Sequence, residues 1–139
     1  MNKFEGTQCP FCGEGVLHRE VRDTEYEYKN HKLLIQQPGT YCNSCDEAIL
    51  EPEDLKFNRQ DLQAFRARVD GLLEPKQIRR IRKLLGLNQK DAGDVFGGGH
   101  NAFSRYERGE LAPPKALSIL LQVLDKNKEL RHDVIEHCK

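Results

Sequence analysis

The chain has 139 residues with 22 Lys/Arg and 22 Asp/Glu, a length that allows one ordinary domain or two small ones. No apolar run approaches the roughly 20 residues that cross a bilayer, and residues 1–5 contain no signal-peptide core, so we expect a cytoplasmic protein. In a reducing compartment, spaced cysteine pairs bind metal more often than they form disulfides.

The first 50 residues predict a small antiparallel sheet. Residues 16–28 are rich in Val, Thr and Tyr, residues 29–32 look like a turn, and residues 33–35 continue as a second strand. Pro38 and Gly39 then predict a turn that leads the chain back toward Tyr41.

Two C-x-x-C pairs lie in this region, Cys9 with Cys12 and Cys42 with Cys45, separated by 29 residues. Two residues between cysteines let a tight turn aim both sulfurs at one point, so two such turns complete a tetrahedral site. Gly13 relaxes the first turn so that backbone N–H groups can approach the thiolates. We predict one structural Zn²⁺ per chain, held by four thiolates with no open position for water or substrate.

Two alternatives to zinc remain open from the residues alone: iron, as in a rubredoxin-like electron carrier, and four buried thiols without metal. Few large apolar residues lie in this region, so the metal is expected to supply much of its folding free energy. Cys138 has no matching partner nearby in the sequence and is interpreted as a bystander.

Residues 52–72 read as one helix, because apolar residues recur on one helical face. These residues are Leu55, Leu62, Phe65, Val69 and Leu72. We therefore divide the chain into a zinc domain (1–50), a linker helix (51–74) and a C-terminal domain (75–139).

The C-terminal domain is predicted to be a compact bundle of five short helices. Pro75 opens the first helix and Gly86 ends it, Asn88 caps a second over residues 89–96, and residues 101–108 form a third. Residues 113–114 open a fourth, and residues 128–136 form the last. The predicted apolar faces comprise Ile78, Ile81, Leu84 and Leu85 in the first helix and Leu117, Leu120, Leu121 and Leu124 in the fourth.

The second and third of these helices have helix-turn-helix form. Ala92 is small where the helices must cross, and Gly97-Gly98-Gly99 forms the turn. Phe103 and Tyr106 can face the core, which leaves Asn101 and Arg105 together on the outward face. Asn can bond adenine through two bonds and Arg can do the same with guanine, so we predict that these two residues contact bases.

The distribution of charge along the chain also favours DNA binding by the C-terminal domain. Residues 75–109 carry eight Lys/Arg against three Asp/Glu, whereas residues 1–50 carry five against eight. Basic stretches attract the phosphate backbone, and the first helix of the domain is a basic lead-in. The predicted DNA-backbone contacts are Lys83, Gln89, Lys90, His100 and Ser104. The alternatives are that Asn101 is only a helix cap, Arg105 only a surface ion-pair partner, and the charges ordinary solvated faces.

Residues 88–109 resemble the Xre/Cro-type helix-turn-helix. The string from Phe96 to Gly109, preceded by two C-x-x-C pairs, closely resembles the MqsA antitoxins of bacterial toxin–antitoxin pairs. The resemblance covers nearly the whole chain, including the Gln63-Ala-Phe-Arg66 segment. The departures are a longer lead before Cys9, a shorter gap between the cysteine pairs, and a longer tail.

That resemblance implies a homodimer formed through the C-terminal domain, which binds a palindromic operator DNA and represses its own operon. It implies that the zinc domain binds a cognate ribonuclease toxin, and that the residues at positions 101 and 105 contact bases. A zinc-ribbon regulator without a toxin, and an enzyme or electron carrier, are the competing hypotheses. No nucleophile–base pair or open metal site is found, so we expect a protein that is not an enzyme.

Overall fold

The computed structural model describes residues 3–136, and the prediction for Cys138 therefore lies outside the described residues. The chain divides into two compact units, Met1–Asn58 and Arg59–Lys139. None of the helices in the described part is both long enough and apolar enough to span a membrane.

Unit 1 contains a three-stranded antiparallel sheet in the order β1-β2-β3, with β1 at Leu17–Tyr28, β2 at His31–Cys42 and β3 at Ala48–Ile49. The first two strands form a long hairpin. Lys29 and Asn30 join them with φ values of 47° and 67°, which is the left-handed geometry of a two-residue turn. The antiparallel sheet is thus confirmed, with a tighter turn than the predicted one over residues 29–32.

The turn predicted at Pro38 and Gly39 is wrong, because β2 continues straight through both residues. Pro38 lies opposite Val21 and Gly39 lies opposite Glu20 in the register of the hairpin. The strand β3 pairs only with Thr40 and Tyr41, so the sheet is two strands wide at Pro38. Proline is tolerated at such an edge.

The single helix predicted over residues 52–72 is also wrong. The structure has α1 at Pro52–Phe57 and α2 at Arg59–Asp70, with Asn58 between them outside helical geometry. The side chain of Asn58 donates a hydrogen bond to the Gln36 carbonyl at 2.8 Å, which ties the end of α1 to β2. The division between the units falls at this residue, and α2 belongs to unit 2.

Polar contacts hold α1 on the sheet of unit 1. The Arg19 guanidinium donates two hydrogen bonds to the Asp54 carboxylate, at 2.7 and 3.0 Å. The Gln37 side-chain amide donates to the Asp54 carbonyl at 2.8 Å. Leu55, which the helical periodicity placed on a packed face, is exposed.

Unit 2 is all-helical. After α2 come α3 (Pro75–Leu84), α4 (Gln89–Phe96), α5 (Ala102–Glu107), α6 (Lys115–Lys126) and α7 (Lys128–Glu136). The five helices predicted from Pro75 onward are confirmed. Their core comprises Leu73, Ile78, Ile81, Leu85, Ala92, Ala102, Phe103, Tyr106, Leu117, Leu121 and Leu124. Leu84 and Leu120, predicted on apolar faces, are exposed.

Candidate metal centre and nucleic-acid interface

The four cysteines of unit 1 converge on one point. Their sulfur atoms all lie within 4.8 Å of one another. The Sγ atoms of Cys9 and Cys45 are 3.8 Å apart, and those of Cys12 and Cys42 are 3.7 Å apart. A tetrahedral ion with metal–sulfur bonds of about 2.3 Å requires sulfurs about 3.8 Å apart. The donor set therefore fits a tetrahedral thiolate site, and the separations are far too long for disulfides.

Backbone N–H groups point at two of these sulfurs, as expected for thiolates that need hydrogen-bond donors. The Gly15 N–H lies 3.4 Å from Cys12 Sγ. The Ser44 and Cys45 N–H groups lie 3.2 and 3.3 Å from Cys42 Sγ. The sequence correctly suggested such donors, although it assigned the relaxed turn to Gly13 alone.

Gly15 is a functional position that the sequence analysis missed. It is buried, and a Cβ atom added there would collide with Cys42 Sγ and lie 2.9 Å from Ser44 Cβ. The two cysteine turns can approach each other only if residue 15 has no side chain. The Gly three residues after Cys12 was visible in the sequence, but its contact with a turn 27 residues away was not.

The thiols differ in acidity. Backbone hydrogen bonds from Gly15 and Glu14 lower the pKa of Cys12 to about 6, well below the ordinary value of a thiol. A backbone hydrogen bond from Glu47 lowers the pKa of Cys45, but desolvation and the neighbouring thiols outweigh it and raise that pKa to about 12. Four thiolates this close repel one another, so full ionisation requires a bound cation.

In unit 2, α4 and α5 are joined by a glycine turn. The Asn88 side chain caps α4 by accepting the Asp91 N–H at 2.7 Å, as predicted. Gly97, Gly98 and Gly99 all have φ near 90°, a region that side-chain-bearing residues rarely adopt. Ala92 is fully buried where the helices cross. The neighbouring Gly93 makes the closest approach, because a Cβ there would collide with the Gly99 carbonyl.

The short helix α5 has one buried face and one exposed face. Phe103 and Tyr106 pack in the core with their rings edge to face at 5.4 Å. Asn101 and Arg105 are both exposed and lie one helical turn apart, joined by the backbone bond from the Arg105 N–H to the Asn101 carbonyl. The Asn101 side chain makes no capping hydrogen bond, and Arg105 forms no ion pair within residues 3–136. Asn101 therefore occupies the N-cap position of α5 without capping the helix through its side chain.

The remaining candidate DNA-contacting residues are distributed over α3 (Lys83), the start of α4 (Gln89 and Lys90), the turn before α5 (His100) and α5 itself (Ser104). Lys83 and Lys90 are exposed, and Gln89 and Ser104 are half-buried. His100 is exposed, with its Nε2 atom 3.7 Å from an Asp94 carboxylate oxygen.

Two arginines of the basic helix α3 have structural partners instead of a free basic surface. Arg82 is buried and donates hydrogen bonds at 2.8 and 2.9 Å to the carboxylate of Glu107, at the end of α5. Arg80 donates two hydrogen bonds to Asp125 of α6. Of the basic residues in this lead-in helix, Arg82 is therefore buried in an ion pair, and Arg80 is bonded to α6 although its side chain is largely exposed.

The described residues thus define a small protein with two parts, a compact unit that holds a four-cysteine cluster and an all-helical unit. The sequence model described as the antitoxin component of the bacterial toxin–antitoxin system, MqsA, matches residues 7–135. The chain belongs to the MqsA antitoxin family, whose members are antitoxins of toxin–antitoxin systems and not enzymes.

One relative and one solved structure illustrate the similarity. The chain is 38% identical to antitoxin MqsA of Escherichia coli (strain K12) over 129 residues, which cover 91% of this chain and 98% of the relative. The solved structure of the N-terminal domain of the E. coli protein MqsA aligns with a TM-score of 0.42 and 29% identity, covering 47% of this chain and 98% of that one.

Proposed function

We propose that this protein neutralises a ribonuclease toxin through unit 1 and represses its own operon by binding a palindromic operator through unit 2. In this proposal it is a cytoplasmic homodimer. The α4–turn–α5 segment is its helix-turn-helix, with α5 as the recognition helix. The observation that carries the DNA-binding part is the pair Asn101 and Arg105, exposed on one face of α5 while the opposite face is locked in the core.

Zinc is the metal we propose for the cysteine cluster. Four thiolates in tetrahedral positions form a closed structural site, which suits zinc and leaves no place for substrate. The hydrophobic core of unit 1 contains Cys9 and Cys42 themselves, together with Leu17. A bound ion would hold together side chains that make up most of this core.

The long hairpin is the surface that we propose for the toxin. On one face, β1 presents Asp23, Glu25 and Glu27, and Leu34 stands opposite Glu25 with most of its surface exposed. These carboxylates would speed the encounter with a basic ribonuclease, and the apolar residues would supply contact area. Such a division of roles is usual at protein interfaces.

The toxin surface is tested by co-purifying the full chain with the product of the neighbouring gene. Leu34→Asp should abolish the complex, because it places a charge in the centre of the proposed contact. Leu111→Asp, an exposed apolar residue of unit 2, is the matched control and should leave the complex intact. If the unsubstituted chain forms no complex at micromolar concentration, a regulator without a toxin is favoured instead.

Base readout is tested by titrating variants on operator and scrambled duplexes over a series of salt concentrations. Arg105→Ala should cost about 1–3 kcal/mol on the operator and little on scrambled DNA, because only a base contact is lost. Lys83→Ala should weaken both duplexes alike and reduce the salt slope by about one unit. Equal weakening of both duplexes by Arg105→Ala would make Arg105 a backbone contact and place the recognition surface elsewhere.

A dimer places two recognition helices about 34 Å apart on one side of the duplex, so the operator should be a near-palindrome. Apolar side chains that α6 leaves exposed, such as Ile119 and Val123, are available for self-association.

A further inference from the structure

A pocket of about 310 Å³ lies within unit 2, beside the glycine turn. Its walls come from the end of α4, the turn itself, α5 and the start of α6. The residues that line it include Phe96, Gly97, Gly98, Pro114, Leu117 and Leu120. Neither Asn101 nor Arg105 is a lining residue, so the pocket is distinct from the proposed base-reading face of α5.

The lining of this pocket is mostly apolar and includes no charged residue. Leu117 is buried, whereas Leu120 keeps 39% of its surface exposed, so the pocket is accessible from solvent. The ring of Phe96 lies 5.9 Å from that of Phe103, which holds it against the core. A concave apolar pocket of this size is typical of a small-molecule site and is unsuited to a phosphate or a metal ion.

Tyr106 of α5 also lines the pocket and brings a hydroxyl group to it. Its side chain is only 4% exposed, yet the hydroxyl forms no hydrogen bond within residues 3–136. Every fully buried side-chain nitrogen or oxygen of those residues has a partner, so the hydroxyl oxygen must reach accessible space. The oxygen lies 3.5 Å from the Cβ position of Gly98, another lining residue, which places it at the pocket.

An unpaired and nearly buried hydroxyl costs free energy unless a partner arrives from outside. Burial raises the pKa of Tyr106 above its ordinary value, so the hydroxyl keeps its proton and can donate a hydrogen bond. Gly98 adds a second donor, because its backbone N–H bonds no carbonyl in the described part of the chain. The pocket thus offers hydrogen-bond donors inside an apolar lining.

We propose that this pocket binds a small aromatic molecule that carries one hydrogen-bond acceptor, to which the Tyr106 hydroxyl donates. The rings of Phe96 and Tyr106 and the side chains of Pro114 and the two leucines surround the apolar part of the ligand. The ligand is uncharged, because a charge would enter this pocket without a counter-ion. This site goes beyond the proposed function and does not depend on it.

The test is an NMR titration of the full-length protein with two probes of the same shape, acetophenone and ethylbenzene. Acetophenone carries an acceptor oxygen and should shift the signals of the lining residues with a Kd of about 1 mM or tighter. Ethylbenzene has no acceptor and should bind about three- to tenfold more weakly. If neither probe shifts these signals, or if both bind equally, the proposal is overturned.

Tyr106→Phe removes the hydroxyl and should weaken acetophenone to the level of ethylbenzene, while ethylbenzene itself binds as before. The melting temperature should not fall, because the hydroxyl has no partner to lose in the folded protein. A lower melting temperature with unchanged acetophenone binding would instead make the hydroxyl purely structural and overturn its role as a ligand donor.

Ala116→Phe places a ring in the pocket from its rim and should abolish binding of both probes. Ala112→Phe is the matched control, because Ala112 is also exposed but does not line the pocket, and it should bind both probes normally. If the unsubstituted protein binds neither probe and Ala116→Phe turns a dimer into monomers in sedimentation, the pocket is filled by a second copy and not by a small molecule.

The walls of the pocket include the turn and α5, so an occupied pocket should also alter DNA binding. This part rests on the proposed function. Saturating acetophenone should change operator affinity roughly fivefold or more in the unsubstituted protein and leave Ala116→Phe unaffected. An unchanged affinity with the pocket occupied would remove the regulatory role. If the protein binds no operator at all, the proposed function fails, and the NMR titration alone decides the site.

Discussion

At the scale of single residues, Gly15 controls whether the two cysteine turns can meet. Gly15→Ala should prevent the four thiols from closing on one ion, because the new methyl group would occupy the position beside Cys42 Sγ. We expect the purified variant to contain well under one zinc ion per chain and to lose the folded signals of unit 1. Metal analysis and the absorption bands of the cobalt-substituted protein measure this directly.

Gly13→Asn is the control for that substitution, since it lies in the same loop. Gly13 has a φ of 72°, which Asn tolerates better than most residues, and a Cβ there would meet nothing within 4 Å. The control should bind zinc normally. A Gly15→Ala protein with full zinc content and a folded unit 1 would contradict the steric role of Gly15.

The sequence identified residues whose placement depends on nearby positions in the chain. It missed residues whose placement depends on a partner far away in the chain. Spacing alone marked Cys9 and Cys12, because the turn that presents them is local. The exposed positions of Asn101 and Arg105 followed from helical periodicity. The burial of Arg82 was not predictable in that way, since its partner Glu107 is 25 residues away.

At the scale of helices and strands, propensity and pattern located most elements but misjudged their continuity. Asn58 ends α1 because its side chain has a hydrogen-bond partner on β2. The spacing of apolar residues along the sequence does not reveal such a contact. Pro38 stays in β2 because the neighbouring strand β3 is too short to reach it. Both errors arose where tertiary partners override a local signal.

The ion pair between α3 and α6 leads to a prediction about pH. Hydrogen bonds from Arg80 lower the pKa of Asp125 below its ordinary value. The folded pKa is therefore below the unfolded value of about 3.9, so the pair stabilises unit 2 above that pH. Its contribution is lost as the pH falls through the folded pKa.

Asp125→Asn should accordingly unfold at a lower urea concentration than the unsubstituted protein at pH 6, and this difference should shrink below pH 4. The difference is modest, because Arg80 is mostly exposed and solvent screens the pair. Urea midpoints followed by helical circular dichroism from pH 7 to pH 3 measure it. High salt at pH 6 should also reduce the difference. If the difference in urea midpoint instead grows as the pH falls, the ion pair between Arg80 and Asp125 does not stabilise the folded state.

At the scale of the whole molecule, the two units have different sources of stability. Within residues 59–136, the core of unit 2 is a set of aliphatic and aromatic side chains without a cysteine. The core of unit 1 consists of Cys9, Leu17 and Cys42, with a few partly buried neighbours. Removing the ion proposed for the cluster should therefore unfold unit 1 and leave unit 2 folded.

Which residues unfold on metal removal decides where unit 1 ends. The structure ends it at Asn58, and the sequence predicted a domain boundary between residues 50 and 51. Because Arg19, Gln36 and Gln37 hold α1 on the sheet, α1 should lose protection together with the strands when the metal is chelated. Hydrogen exchange read by mass spectrometry should then rise over residues 17–58 and stay unchanged from residue 61 onward. Cys12→Ser, which removes a ligand without a chelator, should reproduce this pattern while operator binding by unit 2 persists. Protection of residues 52–57 after metal loss would instead join α1 to unit 2, and protection of the whole chain would remove the structural role proposed for the metal.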